Sequence, residues 1–85
     1  AVLASAPDIL RGLIEARGVG ILNADAIDHV AVVLAANLDQ AESARLPPDR
    51  KLSLLGQSVP MIQGTEGPYL ASAILQYLKS GKARV

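Results

Sequence analysis

The 85-residue chain has no cysteine, no phenylalanine and no tryptophan, and its only aromatic side chains are two tyrosines. Without cysteine there is neither a disulfide nor thiolate chemistry, which fits a reducing cytosol. Without large aromatics, nucleic-acid bases have no stacking platform, and a core of Leu, Ile, Val and Ala gains little area per residue. An excess of one charge sign is missing too. Lys plus Arg number 8 and Asp plus Glu number 8, so no global field attracts nucleic acid or an anionic membrane. No apolar run approaches the roughly 20 residues that span a bilayer, and the opening "AVLASAPDIL" lacks the basic start of a signal peptide. The expectation is a soluble cytoplasmic protein with no nucleic-acid partner and no membrane role. A lone domain of this size buries only about 60–65% of its unfolded surface, which favours a homo-oligomer or a larger parent chain.

What is present reads as short strands followed by a helix, an α/β or α+β arrangement. "AVLAS" is a strand end closed by the turn residues Pro7 and Asp8, and "DILRG" holds a helical turn or loop. Leu13 to Ala16 reads as a strand, on whose period of two Leu13, Glu15 and Arg17 share a face. "ILNADAIDH" reads as irregular, with Asn23, Asp25 and Asp28 as turn formers. The run "HVAVVLAANL" predicts one continuous strand buried on both faces, and "DQAESARLPPDR" a surface connection. "KLSLLGQSVPMI" predicts two strands around Gly56-Gln57, with Pro60 marking an edge or a strand end. Tyr69, Leu70, Ala73, Ile74, Tyr77 and Leu78 repeat at helical spacing, Pro68 suits the first turn, and Gly81 suits the end.

The segment "LIEARGVGIL" carries the chemistry. A carboxylate is a hard oxygen ligand for Mg²⁺, and a guanidinium matches phosphate oxygens two at a time. Glycine lets a backbone approach a phosphate and adopts positive φ. The plain alternative is a solvated Glu15–Arg17 pair on a half-buried strand, with Gly18 and Gly20 shaping a turn. The pattern is not a dinucleotide fingerprint, because the third glycine is missing, and no GxxxxGK[ST] P-loop occurs in the 85 residues. Arg45 stands in a loop before two prolines, either solvated or a clamp for a phosphoryl group. His29 is the single histidine and has no companions for a zinc site; no serine has a nucleophile-elbow context.

Taken together, "SAPDILRGLIEARGVGIL", the valine run, "ARLPP" and "LLGQSVPMI" before a closing helix resemble HPr(Ser) kinase/phosphorylase over essentially the whole chain. The family's hallmark reads approximately Ile-Glu-Val-Arg-Gly-Leu-Gly-Ile; here Ala16 and Val19 replace its Val and Leu. The similarity is greatest to the short alphaproteobacterial form. The resemblance implies the C-terminal portion of a P-loop kinase fold of the phosphoenolpyruvate carboxykinase type. The activity implied is transfer of phosphate from ATP, with Mg²⁺, to a serine of the phosphocarrier protein HPr, and its reversal by phosphorolysis. Glu15 then corresponds to the Mg²⁺ ligand. Ile14, Glu15, Ala16, Arg17, Gly18, Val19, Gly20, Ile21, Leu22 and Asn23 correspond to the segment used in both directions. Arg45, with Arg17, corresponds to the catalytic cations, and Pro60, Met61, Ile62, Gln63, Gly64 and Thr65 to the dephosphorylation segment. This chain has Ile62-Gln63-Gly64-Thr65 where the longer enzymes carry an Arg-Pro-Gly-Arg-like run, two cations fewer. The family's P-loop, ATP-binding lysine and acid/base aspartates precede the counterpart of Ala1, so the 85 residues alone are expected to be inactive. A non-catalytic remnant that binds HPr or a sensor kinase is the alternative.

Overall fold

In the computed structural model of the protein, residues 1–65 and 67–83 are described. The described residues form a small mixed α/β unit in which short strands make three separate sheets, followed by one α-helix. β1 (Leu3–Ala4) pairs antiparallel with β4 (Val30–Ala31). A 3-10 turn at Asp8–Leu10 leads into β2 (Leu13–Ala16), which forms an antiparallel hairpin with β3 (Gly20–Asn23). The third sheet has the order β5-β7-β6, with β5 at Ala35–Asn37, β6 at Arg50–Leu54 and β7 at Gln57–Gln63. Its β6–β7 pair is antiparallel and its β5–β7 pair parallel.

The three-stranded sheet holds what core there is. Along β6 the sequence Arg-Lys-Leu-Ser-Leu alternates, and so does its burial: Arg50, Leu52 and Leu54 turn inward, Lys51 and Ser53 outward. Leu52 lies opposite Val59 and Arg50 opposite Met61, which puts the apolar side chains of both strands on one face. Val59, 3% exposed, is the one buried residue among the described residues. Pro60 sits within β7, the central strand. Because β5 pairs only with Met61, Ile62 and Gln63, β7 is still an edge on that side at Pro60, so the proline breaks no ladder there.

Helix α1 (Leu70–Ser80) begins after Pro68 and Tyr69 and ends at Gly81, whose φ of +72° and whose amide, donating to Tyr77 O at 2.7 Å, close its last turn. Leu70, Ile74 and Tyr77 are its half-buried positions, spaced i, i+4, i+7. No helix among the described residues is long and apolar enough to cross a membrane.

Three sequence expectations need correction. The valine run is not one doubly buried strand: it breaks at 32–34 because Val30 and Ala31 feed one sheet while Ala35, Ala36 and Asn37 feed another, and none of these residues is fully buried. Ile21, Leu22 and Asn23 are not irregular but form β3, opposite Glu15, Ile14 and Leu13. Asn23 is therefore a strand end, not a turn former. The β6–β7 turn also lies one residue early, at Leu55-Gly56, both with positive φ (50° and 75°).

The assembly of these pieces is open. A folded monomer of 8.8 kDa exposes about 4,800 Å², whereas this chain exposes 7265 Å². Its radius of gyration is 14.7 Å, against about 12 Å for a compact chain of this length. The β2–β3 hairpin makes at most marginal contact with any other strand or helix.

Candidate phosphate-facing hairpin and arginine loop

The hairpin is specified by its turn. Val19 N–H donates to Ala16 O at 2.9 Å, closing a four-residue turn with Arg17 and Gly18 at its centre. Gly18 takes φ +82°, the value a type II turn demands at its third position, and Gly20 follows at +135°. Any side chain at either position would be strained, so both glycines have a conformational reason to be there. A Cβ built on Gly18 or Gly20 meets no atom within 4 Å, so the backbone of the turn stands open to an incoming group.

Glu15 lies on β2 opposite Ile21, exposed, one residue before the strand ends. Arg17 has left the strand and forms the second residue of the turn. The shared strand face expected for Glu15 and Arg17 therefore stops at Glu15; the turn, not the pleat, sets where Arg17 stands. Ile14, Val19, Ile21 and Leu22 are exposed on the same hairpin, which leaves apolar side chains on both of its faces. An open cleft of about 250 Å³ runs beside it, lined by Leu10, Leu13, Ile14 and the 24–27 segment.

Among the described residues no group of three or more His, Cys, Asp and Glu could hold a metal ion. One exposed carboxylate fits Mg²⁺ bound largely by water and substrate phosphates, the usual manner of that ion. Asp25 lines the cleft, and Asp28 pairs with Arg11 at 2.7 Å on the surface, a contact worth about 0–1 kcal/mol.

Arg45 is on the long connection between β5 and β6, exposed, with neither hydrogen bond nor ion pair among the described residues. Its loop is nevertheless fastened. Arg50 Nε donates to Glu42 Oε1 at 3.0 Å and Arg50 Nη2 to Glu42 Oε2 at 3.1 Å, and the Ala44 amide donates to that same Oε2 at 3.1 Å. The Arg50 hydrogen bond, then that of Ala44, holds Glu42 below the ordinary carboxylate range. On the other side Lys82 Nζ donates to Pro47 O at 3.2 Å and to Asp49 Oδ1 at 2.8 Å, which lowers Asp49 as well. Sequence reasoning missed the Glu42–Arg50 pair. Its separation of eight residues matches neither helix nor strand periodicity, so no local pattern announces it.

The segment expected for dephosphorylation, residues 60–65, divides. Pro60, Met61, Ile62 and Gln63 are the second half of β7, and Gly64 and Thr65 lie beyond its end. Gln63 Nε2 donates to Gln40 Oε1 at 3.0 Å, and Gly64 N–H to Asn37 O at 3.1 Å, so amides and backbone, not cations, dress this end of the parallel pair. Gly64 leaves room for Leu70, whose Cδ1 would stand 3.2 Å from an added Cβ.

No family model, no curated protein and no solved structure matches the chain.

Proposed function

We propose that the chain is the C-terminal part of an ATP-dependent HPr serine kinase/phosphorylase of P-loop kinase fold, working with Mg²⁺ on the phosphocarrier protein HPr. The observation that carries this reading is the hairpin: a carboxylate one residue before an open turn whose arginine and two glycines occur in the order Glu-Ala-Arg-Gly-Val-Gly. Glu15 would be the protein's ligand to Mg²⁺, which supplies charge neutralisation on the nucleotide phosphates when bound. Gly18 and Gly20 let the backbone close on those phosphates. Arg17 and Arg45 contribute cationic hydrogen bonds to the phosphoryl group in transfer.

Phosphoryl transfer rests on positioning and charge neutralisation by several groups acting together. One carboxylate and two arginines do not supply them, and no P-loop motif occurs among the 85 residues. The reading therefore needs a nucleotide-binding half, covalently joined or separately supplied, to cover the hairpin. The large exposed surface supports such a covering partner. It equally supports a second reading, a non-catalytic module that binds HPr or a sensor kinase through this surface.

Calorimetric titrations separate the two. Mg-ATP should not bind the 85-residue chain alone, but should bind once a P-loop half is present, and more weakly when Glu15 is replaced by Gln. HPr binding by the chain alone, with indifference to Glu15 in the assembled protein, is the result of an interaction module.

A further inference from the structure

Arg45 and Leu46 stand near the middle of the nine-residue stretch 42–50, both exposed, Leu46 at 85%. The bonds that restrain this loop are at its base and flank. Glu42 and Arg50 join its two ends through a bidentate carboxylate–guanidinium pair, and the same carboxylate accepts the amide of Ala44, the residue before Arg45. Glu42 is mostly withdrawn from water, its side chain 17% exposed, and Arg50 is fixed in turn by its place on β6 opposite Met61. Lys82, just past the end of α1, grips the carbonyl of Pro47 and the carboxylate of Asp49. Two prolines occupy the remaining stretch. An exposed loop with no task needs none of this ordering, whereas a clamp on a transferring phosphoryl group loses orders of magnitude when misplaced by about 1 Å.

We propose that Glu42 and Arg50 are positioning residues for Arg45: they close residues 42–50 into a ring anchored on β6 and, through the Ala44 amide, set the direction in which Arg45 leaves it. The inference rests on the reading of Arg45 as a phosphoryl clamp. Neither Glu42 nor Arg50 touches substrate in this account.

The test uses the assembled kinase, with phosphoryl transfer from Mg-ATP to HPr measured for Arg45→Ala, Glu42→Gln, Arg50→Lys and the exchanged pair Glu42→Arg/Arg50→Glu. Arg45→Ala should lower kcat at least about 100-fold. Glu42→Gln should lower kcat about 10-fold with KM for ATP unchanged. Arg50→Lys, which loses the two-pronged geometry, should fall between that variant and wild type, and the exchanged pair should regain part of the loss. Amide hydrogen exchange at Ala44 should accelerate in Glu42→Gln while β6 amides keep their protection, which separates a loosened ring from an unfolded sheet. If Arg45→Ala is as active as wild type, the clamp reading fails and this inference with it. If Arg45→Ala is inactive while Glu42→Gln retains wild-type kcat, or keeps slow exchange at Ala44, the positioning role alone is overturned.

Discussion

The two hairpins of this chain are built on opposite principles. β2–β3 has a turn that suits its sequence, with glycines where φ is positive, but its strands bury nothing fully. β6–β7 has the single buried residue among those described, Val59, yet its turn places Leu55, a residue with a Cβ, at φ 50°. One hairpin is shaped by its turn and lacks a core; the other has the core and tolerates a strained turn. The contrast suggests a division of labour. The core hairpin carries the buried side chain and anchors the 42–50 loop, and the turn-shaped hairpin leaves Glu15 and its turn backbone exposed.

That comparison can be broken at either end. The largest effect is expected at Glu15. On the proposed kinase reading, Glu15→Gln in the chain joined to a P-loop half should cost at least about 100-fold in Mg²⁺-dependent transfer, measured as kcat, without changing thermal stability. Next comes the core: Val59→Ala should destabilise the chain by about 2 kcal/mol, read from chemical denaturation. The matching truncation on the exposed hairpin, Ile21→Ala, should stay within about 0.5 kcal/mol. The turns should answer with opposite signs. Gly18→Ala forces a Cβ into positive φ and should cost about 1 kcal/mol, while Leu55→Asn, better suited to that backbone, should gain up to about 1 kcal/mol. The smallest effect concerns pH. The folded pKa of Glu42 is lowered, so its pair with Arg50 contributes fully above the unfolded carboxylate value and is lost as pH falls through the folded one. A thermal melt series in that acid range should show a slope that flattens in Glu42→Gln.

Local patterns in the sequence were good guides where local forces decide. Leu13–Ala16 is a strand with the bounds its period implies, and α1 ends at Gly81 because that residue alone there adopts φ +72° without penalty. The valine run misled because continuous hydrophobicity marks burial without saying how many sheets share it; here two sheets divide the run. β3 was hidden by Asn23, Asp25 and Asp28, whose turn chemistry masked a short pairing that Gly18 and Gly20 make possible. Of the candidate site, Glu15 and the two glycines are candidates by residue type and spacing, and the structure places the glycines at positive φ and Glu15 on an exposed strand; Arg45, before two prolines, is a candidate only through the family resemblance. The Glu42–Arg50 clasp could not, since it exists only once β6 brings Arg50 back beside the loop it closes.

The most direct measurement places a metal. On the proposed kinase reading, with Mn²⁺ in place of Mg²⁺ and ATP added to the chain joined to a P-loop half, paramagnetic broadening should fall on the amides of Ile14, Glu15, Ala16, Gly20 and Ile21 and spare β6. Sharp hairpin signals in a protein that is turning over ATP would contradict the claim that Glu15 faces the metal-bound phosphates.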